Sequence, residues 1–265
     1  MNIGVCGICG RMGHEVLSVL MNRGHSLCAG FDAPSSAGYG KQAGSLILRD
    51  DITAVIGDIS PQAIAECDGI IDFSAPAATM KLLEYAVTER RPLVIGTTGL
   101  ENVQVSAIEK AAEKIPVLFS PNMSIGVNVL FKLTEIASSV LSSEYDVEIF
   151  EAHHRHKKDA PSGTAKKLID IVKKNKDGLA AAREVWGRDG ITGERTDDEV
   201  GIFAMRGGDI VGDHTVYFIG NGERIELTHR ATNRNILASG AVLGMEYLIG
   251  KNPGLYTMFD VLGFK

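Results

Sequence analysis

The sequence predicts an α/β protein in two parts: a parallel-sheet domain, then an α+β domain built on a mixed or antiparallel sheet. Three observations carry that prediction. Short apolar runs alternate with helix-period segments as far as residue 119, the pattern of a parallel sheet covered by helices. A glycine-rich turn, Gly7-Ile8-Cys9-Gly10-Arg11-Met12-Gly13, stands between the first run and the first helical segment. From Val200 onward three runs succeed one another with short glycine turns between them, which suits antiparallel or mixed pairing.

Residues 2–6 read as a strand, and the segment resting on Val16, Leu17, Val19 and Leu20 as a helix that stops at Arg23-Gly24. Glycines between them permit a tight turn and let backbone approach a pyrophosphate, while the helix N-terminus adds N–H donors that Arg11 reinforces with a full charge. A second strand, Ser26–Phe31, ends at Asp32, about twenty residues on, where an acid that accepts from a ribose 2'-hydroxyl is expected. Turn, helix and acid together predict a Rossmann-type dinucleotide site. Asp32 would repel a 2'-phosphate and the following Ala33 offers it no cation, so NADH is favoured over NADPH, with Arg11 and Lys41 the cations able to redress the balance. Further strands at 68–73, 92–96 and 115–119 alternate with helices at 77–88 and 101–114. At the strand ends stand Ser74, Gly96-Thr97-Thr98-Gly99 and Ser120-Pro121-Asn122-Met123, mostly small or polar residues suited to a nicotinamide amide or ribose.

The second part begins with an apolar helix over 129–141 and a strand at 146–150, then gathers Glu151, His153, His154, Arg155, His156, Lys157 and Lys158 in one stretch. Ser162 precedes a periodic segment and reads as a helix N-cap, with the N–H groups of Gly163 and Thr164 at the helix start forming a second anion site. So much unbalanced positive charge calls for an anion, and a small carboxylate substrate is the expected one. The interleaved cations argue against a divalent metal on the histidines. Strands at 200–205, 210–219 and 224–231 follow a loop over 189–199, and a helix at 236–249 returns to the first domain. The expected division is therefore 1–124 with 235–265 for the dinucleotide, and 125–234 for substrate.

At 265 residues the chain has room for two cores, and its formal charge of -6 argues against nucleic acid or an anionic membrane as partner. No secretory leader or long apolar run is present, so the cytoplasm is the expected compartment. Cys6 and Cys9 have redox-motif spacing, and a helix N-terminus after them would favour a thiolate; small buried residues in the glycine turn are the preferred reading.

The glycine turn, Gly96 to Gly99, Asn122 with Gly126-Val127-Asn128, and above all Glu151 to Lys157 with Asp159-Ala-Pro-Ser-Gly-Thr164 resemble the 4-hydroxy-tetrahydrodipicolinate (dihydrodipicolinate) reductase family of lysine and diaminopimelate biosynthesis, nearly end to end. The resemblance implies an NAD(P)H-dependent oxidoreductase acting on a cyclic dicarboxylate, a cofactor domain closed by the C-terminal helix, and a homotetramer joined through the second sheet, which adds oligomerisation to the role of 125–234. It implies His153 and Lys157 as proton-transfer residues, with substrate on His154, Gly163 and Thr164. Cofactor contacts would come from Gly7, Ile8, Cys9, Gly10, Arg11, Met12, Asp32, Gly96, Thr97, Thr98, Ser120, Pro121, Asn122 and Met123. Many members carry arginine after the ribose acid where this chain has Ala33, a departure that weakens the case for NADPH. Another amino- or imino-acid dehydrogenase, or a non-catalytic dinucleotide sensor, would share the first domain.

Overall fold

Ile3, Gly4, Val5 and Cys6 are all buried, which requires strand β1 (Asn2–Cys6) to lie inside a sheet covered on both faces. In the structure, a computed structural model that describes residues 1–264, β1 is followed by helix α1 (Arg11–Asn22) and by β2 (Ser26–Phe31) and β3 (Ile56–Gly57). The chain continues through α2 (Pro61–Ala65), β4 (Gly69–Asp72), α3 (Pro76–Thr88), β5 (Leu93–Ile95), α4 (Asn102–Ala112) and β6 (Pro116–Phe119). The second part supplies α5 (Ile125–Val140), β7 (Asp146–His153), α6 (Gly163–Asn175), β8 (Arg183–Trp186), β9 (Glu199–Arg206), β10 (Gly212–Gly220) and β11 (Glu223–Ala231). Helices α7 (Asn235–Leu248) and α8 (Met258–Val261) flank a last strand, β12 (Gly254–Tyr256).

By contact, the chain divides into one unit of Met1–Ile125 with Arg234 onward and another of Gly126–Asn233. The first carries a seven-stranded sheet in the order β12-β6-β5-β4-β1-β2-β3, parallel throughout. Chain order reverses beside β1, and in such a sheet ligands bind outside the carboxyl ends of the strands at that point. Helices α1 and α7 pack together on one face around Val16, Leu17, Leu20, Ala241 and Met245. The other face is covered by α3 and α4 through Leu82, Ala86, Ile108 and Ala112. The short elements β3, α2, β12 and α8 were not expected; each has two to five residues, too few to display a period.

The second unit is built on a mixed sheet, β11-β10-β7-β9-β8, in which β10 is antiparallel to β7 and β11 while β7, β9 and β8 run parallel. Helix α6 lies on one face, burying Leu168, Ile169 and Val172. Each such side chain contributes about 1.5–3 kcal/mol, whereas a serine N-cap is worth about 1 kcal/mol. The apolar face therefore holds the helix on the sheet, and Ser162, whose Oγ accepts from Ala165 N at 3.2 Å, sets where it starts. The loop after β8 is tied down electrostatically: Arg188 bonds both Glu148 carboxylate oxygens at 3.0 Å and Glu199 at 2.6 Å, and Arg195 reaches Asp146 at 2.6 Å. Among the described residues no helix is long and apolar enough to cross a membrane.

Candidate active site

In the first unit the glycine turn sits at the carboxyl end of β1. Gly7 has φ +75°, a left-handed conformation that favours glycine, and a Cβ built there would fall 2.4 Å from Phe73 O. At Gly13 an added Cβ would lie 2.3 Å from Gly7 O, so that glycine lets α1 close onto the turn. Gly10 begins α1 with no side-chain cap, which leaves its first N–H groups available to an anion. At the end of β2, Asp32 accepts from Cys9 N through Oδ2 and from Ala33 N through Oδ1, both at 2.8 Å. A cavity of about 410 Å³ opens here, lined among others by Gly7, Gly10, Asp32, Ala33 and Ser74, within the size range of small-molecule sites. A bare turn, an uncapped helix start and a fixed carboxylate beside one cavity fit a dinucleotide.

The other residues expected at this site occupy the same sheet edge in different ways. Thr97 is buried and donates to Asp72 Oδ2 at 3.0 Å while accepting from Ser74 N at 3.0 Å. Asp72 itself is enclosed, and Ser74 and Thr79 also donate to it, each at 2.5 Å; burial pushes this carboxyl up against those hydrogen bonds. Arg11 and Thr98 are exposed, Met12 and Gly96 half-buried. Ser120 donates to Asn122 O at 2.9 Å, and Pro121 is exposed. Ile8 and Met123 point into the core, so only their backbone can meet a ligand. The thiol of Cys6 is pushed up by burial, then by Asp72, and that of Cys9 by burial; at both, desolvation opposes the thiolate that a helix N-terminus would favour.

In the second unit, strand register assembles the site. His153 lies opposite Arg206 on β9, and Glu151 opposite His214 on β10. Residues 151 and 153 share a face because side chains alternate along a strand, so these four converge beneath the start of α6. Glu151 and His153 are both buried. Glu151 Oε2 pairs with His153 Nδ1, leaving Nε2 as the ring atom open to exchange a proton. Arg206 meets the same carboxylate with two bonds, Nη1 to Oε2 at 2.9 Å and Nη2 to Oε1 at 2.7 Å, and Ser162 N adds a third donor at 3.2 Å. Burial opposes ionisation of Glu151, but the hydrogen bonds from His153 and Arg206 outweigh it and bring the carboxyl down to about 2. His214, edge-on to His153 at 5.1 Å, is lowered to about 3 by burial and then by His153. It is thus neutral at ordinary pH and shares a 3.0 Å hydrogen bond with Ser162 Oγ.

Lys157 pairs with Asp159 at 2.9 Å, and that contact pulls the Asp159 carboxyl down. The basic stretch is therefore not left wholly to a ligand for neutralisation, as its charge count suggested: Asp159 takes Lys157, and hydrogen-bonded pairing relieves repulsion locally. Arg155, His156 and Lys158 are exposed, and His154 is half-buried with its ring 6.3 Å from that of His156. Gly163 and Thr164 open α6, where the first N–H groups lie outside the helical hydrogen-bond ladder. Arg206 and His214 were missed from sequence. They stand about fifty residues or more beyond the cluster, and only β pairing brings them to it. Among the described residues no group of His, Cys, Asp and Glu is arranged to hold a metal.

Comparison with known proteins matches residues 1–123 to the family model "Dihydrodipicolinate reductase, N-terminus" and residues 126–262 to "Dihydrodipicolinate reductase, C-terminus". The 4-hydroxy-tetrahydrodipicolinate reductase of Thiobacillus denitrificans is 45% identical over 267 residues, spanning 100% of this chain and 99% of its own. That of Aquifex aeolicus is 45% identical over 270 residues, with 99% of each chain covered. Among solved structures, dipicolinate-bound dihydrodipicolinate reductase from Paenisporosarcina sp. TG-14 superposes with a TM-score of 0.77 at 22% identity, covering 98% of both chains, a likeness of fold. Matched along nearly its whole length, the chain belongs to the dihydrodipicolinate reductase family.

Proposed function

We propose that the protein catalyses NAD(P)H-dependent reduction of 4-hydroxy-tetrahydrodipicolinate to tetrahydrodipicolinate, in lysine and diaminopimelate biosynthesis. One observation carries the reading furthest: a buried Glu151–His153 pair is tied by Ser162 N to the start of α6, where Gly163 and Thr164 follow, with Lys157 in the same stretch of chain, in a chain of this family. Acid groups next to a carboxylate-binding helix start are what reduction of a cyclic dicarboxylate requires.

The nicotinamide supplies the hydride. Gly7, Ile8, Cys9, Gly10, Arg11 and Met12 hold its pyrophosphate at the bare start of α1, and Asp32 takes a ribose hydroxyl. Gly96, Thr97, Thr98 and the segment Ser120 to Met123 line the remainder. With Asp32 fixed by two backbone donors and Ala33 beside it, NADH is the favoured cofactor. In the second unit His154, Gly163 and Thr164 hold a substrate carboxylate, and His153 or Lys157 delivers the proton that balances the hydride. His153 suits that task because histidine changes charge near neutral pH.

The first unit, Met1–Ile125 with Arg234 onward, serves as cofactor domain, and the second, Gly126–Asn233, as substrate and oligomerisation domain. The face of the second sheet opposite α6 exposes Met205 and Ile219, which supports a homotetramer joined there. The cytoplasm, where NAD(P)H is regenerated, is the setting. The decisive assay is oxidation of NADH by purified protein with 4-hydroxy-tetrahydrodipicolinate, run beside a panel of amino and imino acids. NADH oxidation with an imino acid, or NAD+ reduction with an amino acid, but no turnover of the cyclic substrate would favour a different dehydrogenase, and neither reaction with any of them a dinucleotide sensor.

A further inference from the structure

We propose that Arg206 is the positioning residue that holds both proton-handling groups, His153 through Glu151 and Lys157 through the Asp159 turn. The inference rests on the reading of His153 and Lys157 given above. One guanidinium makes four contacts. Nη1 donates to Glu151 Oε2 at 2.9 Å and to Met205 O at 2.6 Å, and Nη2 donates to Glu151 Oε1 at 2.7 Å and to Asp159 O at 2.8 Å. The first carboxylate so held is the one that fixes His153 Nδ1; the second residue so held is the one whose carboxylate pairs with Lys157 at 2.9 Å.

Geometry makes arginine the residue for this task. Its planar fork matches a carboxylate with two parallel bonds and keeps donors for a carbonyl on each side. A lysine ammonium offers three donors on a flexible stem and no fixed plane. Arg206 sits directly opposite His153 in the β7–β9 ladder, so the sheet itself holds the guanidinium in place. Misplacing a reacting group by about 1 Å can cost a hundredfold in rate, and releasing Glu151 and the Asp159 turn together loosens two such groups at once.

The test uses Arg206→Met, which keeps much of the side-chain volume, and Arg206→Lys, which keeps the charge and serves if the first fails to fold. Each is made in the wild-type protein and in a His153→Ala/Lys157→Ala background, with folding checked by circular dichroism and Tm. The expected result is a fall in kcat of about ten- to a hundredfold, an unchanged Kd for NADH, and an acid limb of the kcat–pH profile moved to higher pH as Glu151 loses the fork that keeps it ionised. Arg206→Lys recovers part of the loss, and in the double-variant background neither substitution lowers turnover further. Wild-type kcat in a folded Arg206 variant overturns the proposal, as does an equal fold-loss in both backgrounds. Wild-type turnover in the His153→Ala/Lys157→Ala protein itself would defeat the underlying assignment instead, so the two failures are distinguishable.

Discussion

Replacing Glu151 by glutamine should remove a pH-dependent share of stability whose size follows from the site. The carboxyl is fully buried and moves from an ordinary 4.5 to about 2 on folding. Because the folded-state value is the lower one, the folded state binds fewer protons than the unfolded chain between those two values. The associated stability is present in full above the unfolded value and is lost as pH falls through the folded one. Each tenfold change in a carboxyl's acidity is worth about 1.4 kcal/mol. The whole contribution is therefore about 3.4 kcal/mol, of which about 1.4 kcal/mol has gone by about pH 3.5. Urea denaturation of the wild type and Glu151→Gln at neutral pH and at about pH 3.5 measures the difference. The wild type should be the more stable by roughly 3–5 kcal/mol at neutral pH, since the substitution also strands Arg206, and that gap should narrow by about 1.4 kcal/mol at the lower pH. A gap that does not change with pH would refute the claim that Glu151 is ionised and held by Arg206 and His153.

His153→Ala and Lys157→Ala should each lower turnover by about two orders of magnitude, the usual scale for acid–base groups, with NADH affinity by fluorescence titration nearly unchanged; full turnover in both would remove them from the mechanism. Gly13→Ala places a methyl 2.3 Å from Gly7 O and should cost about 1–3 kcal/mol by overpacking while weakening NADH binding at least tenfold; wild-type Tm and Kd would contradict the close-approach role of that glycine. Steady-state kinetics with both cofactors should give kcat/KM for NADH at least equal to that for NADPH, and Ala33→Arg should shift the ratio towards NADPH by about tenfold or more, a single well-placed charge contact being worth about 1.5–3 kcal/mol. A strong NADPH preference in the unmodified protein would show that Arg11, Lys41 or another group overrides the Asp32 carboxylate.

Long elements and local motifs are readable in the sequence because their signals are contiguous. The α1 face repeats through Val16, Leu17 and Leu20, Ser162 announces the start of α6, and the ends of β1 and β2 bear the glycine turn and Asp32. What escapes a reading of sequence depends on pairing between distant residues. Strand β8 has only half-buried or exposed residues and exists because β9 offers it a parallel edge. Arg206 reads as an ordinary basic residue at the end of a strand, and its meaning comes from the register that sets it opposite His153. His214 likewise belongs to the site only because β10 runs antiparallel to β7. The cluster's charge does signal a demand for anions, but counting along the chain cannot tell which carboxylates fold back to meet it.

Two buried acids show how the same fold drives a carboxyl in opposite directions. Asp72 is surrounded by the hydroxyls of Ser74, Thr79 and Thr97, neutral donors that leave the burial penalty dominant, so its carboxyl is raised. Glu151 has the Arg206 guanidinium, a full charge, and the His153 ring in the same role, and their hydrogen bonds together overcome the penalty. The linkage signs are therefore opposed: stability tied to Asp72 is present below its unfolded value and lost as pH rises through the folded one, whereas that tied to Glu151 is lost as pH falls. Each choice suits its site. Asp72 has only to fix hydroxyls at the ends of β4 and β5, and neutral donors suffice for that. Glu151 stays ionised well below neutral pH because the Arg206 guanidinium pairs with both its oxygens while the His153 ring bonds Oε2 through Nδ1. Because Asp72 is unchanged between the wild type and Glu151→Gln, its opposing slope cancels in their difference, and what remains of the pH dependence belongs to the Glu151 site.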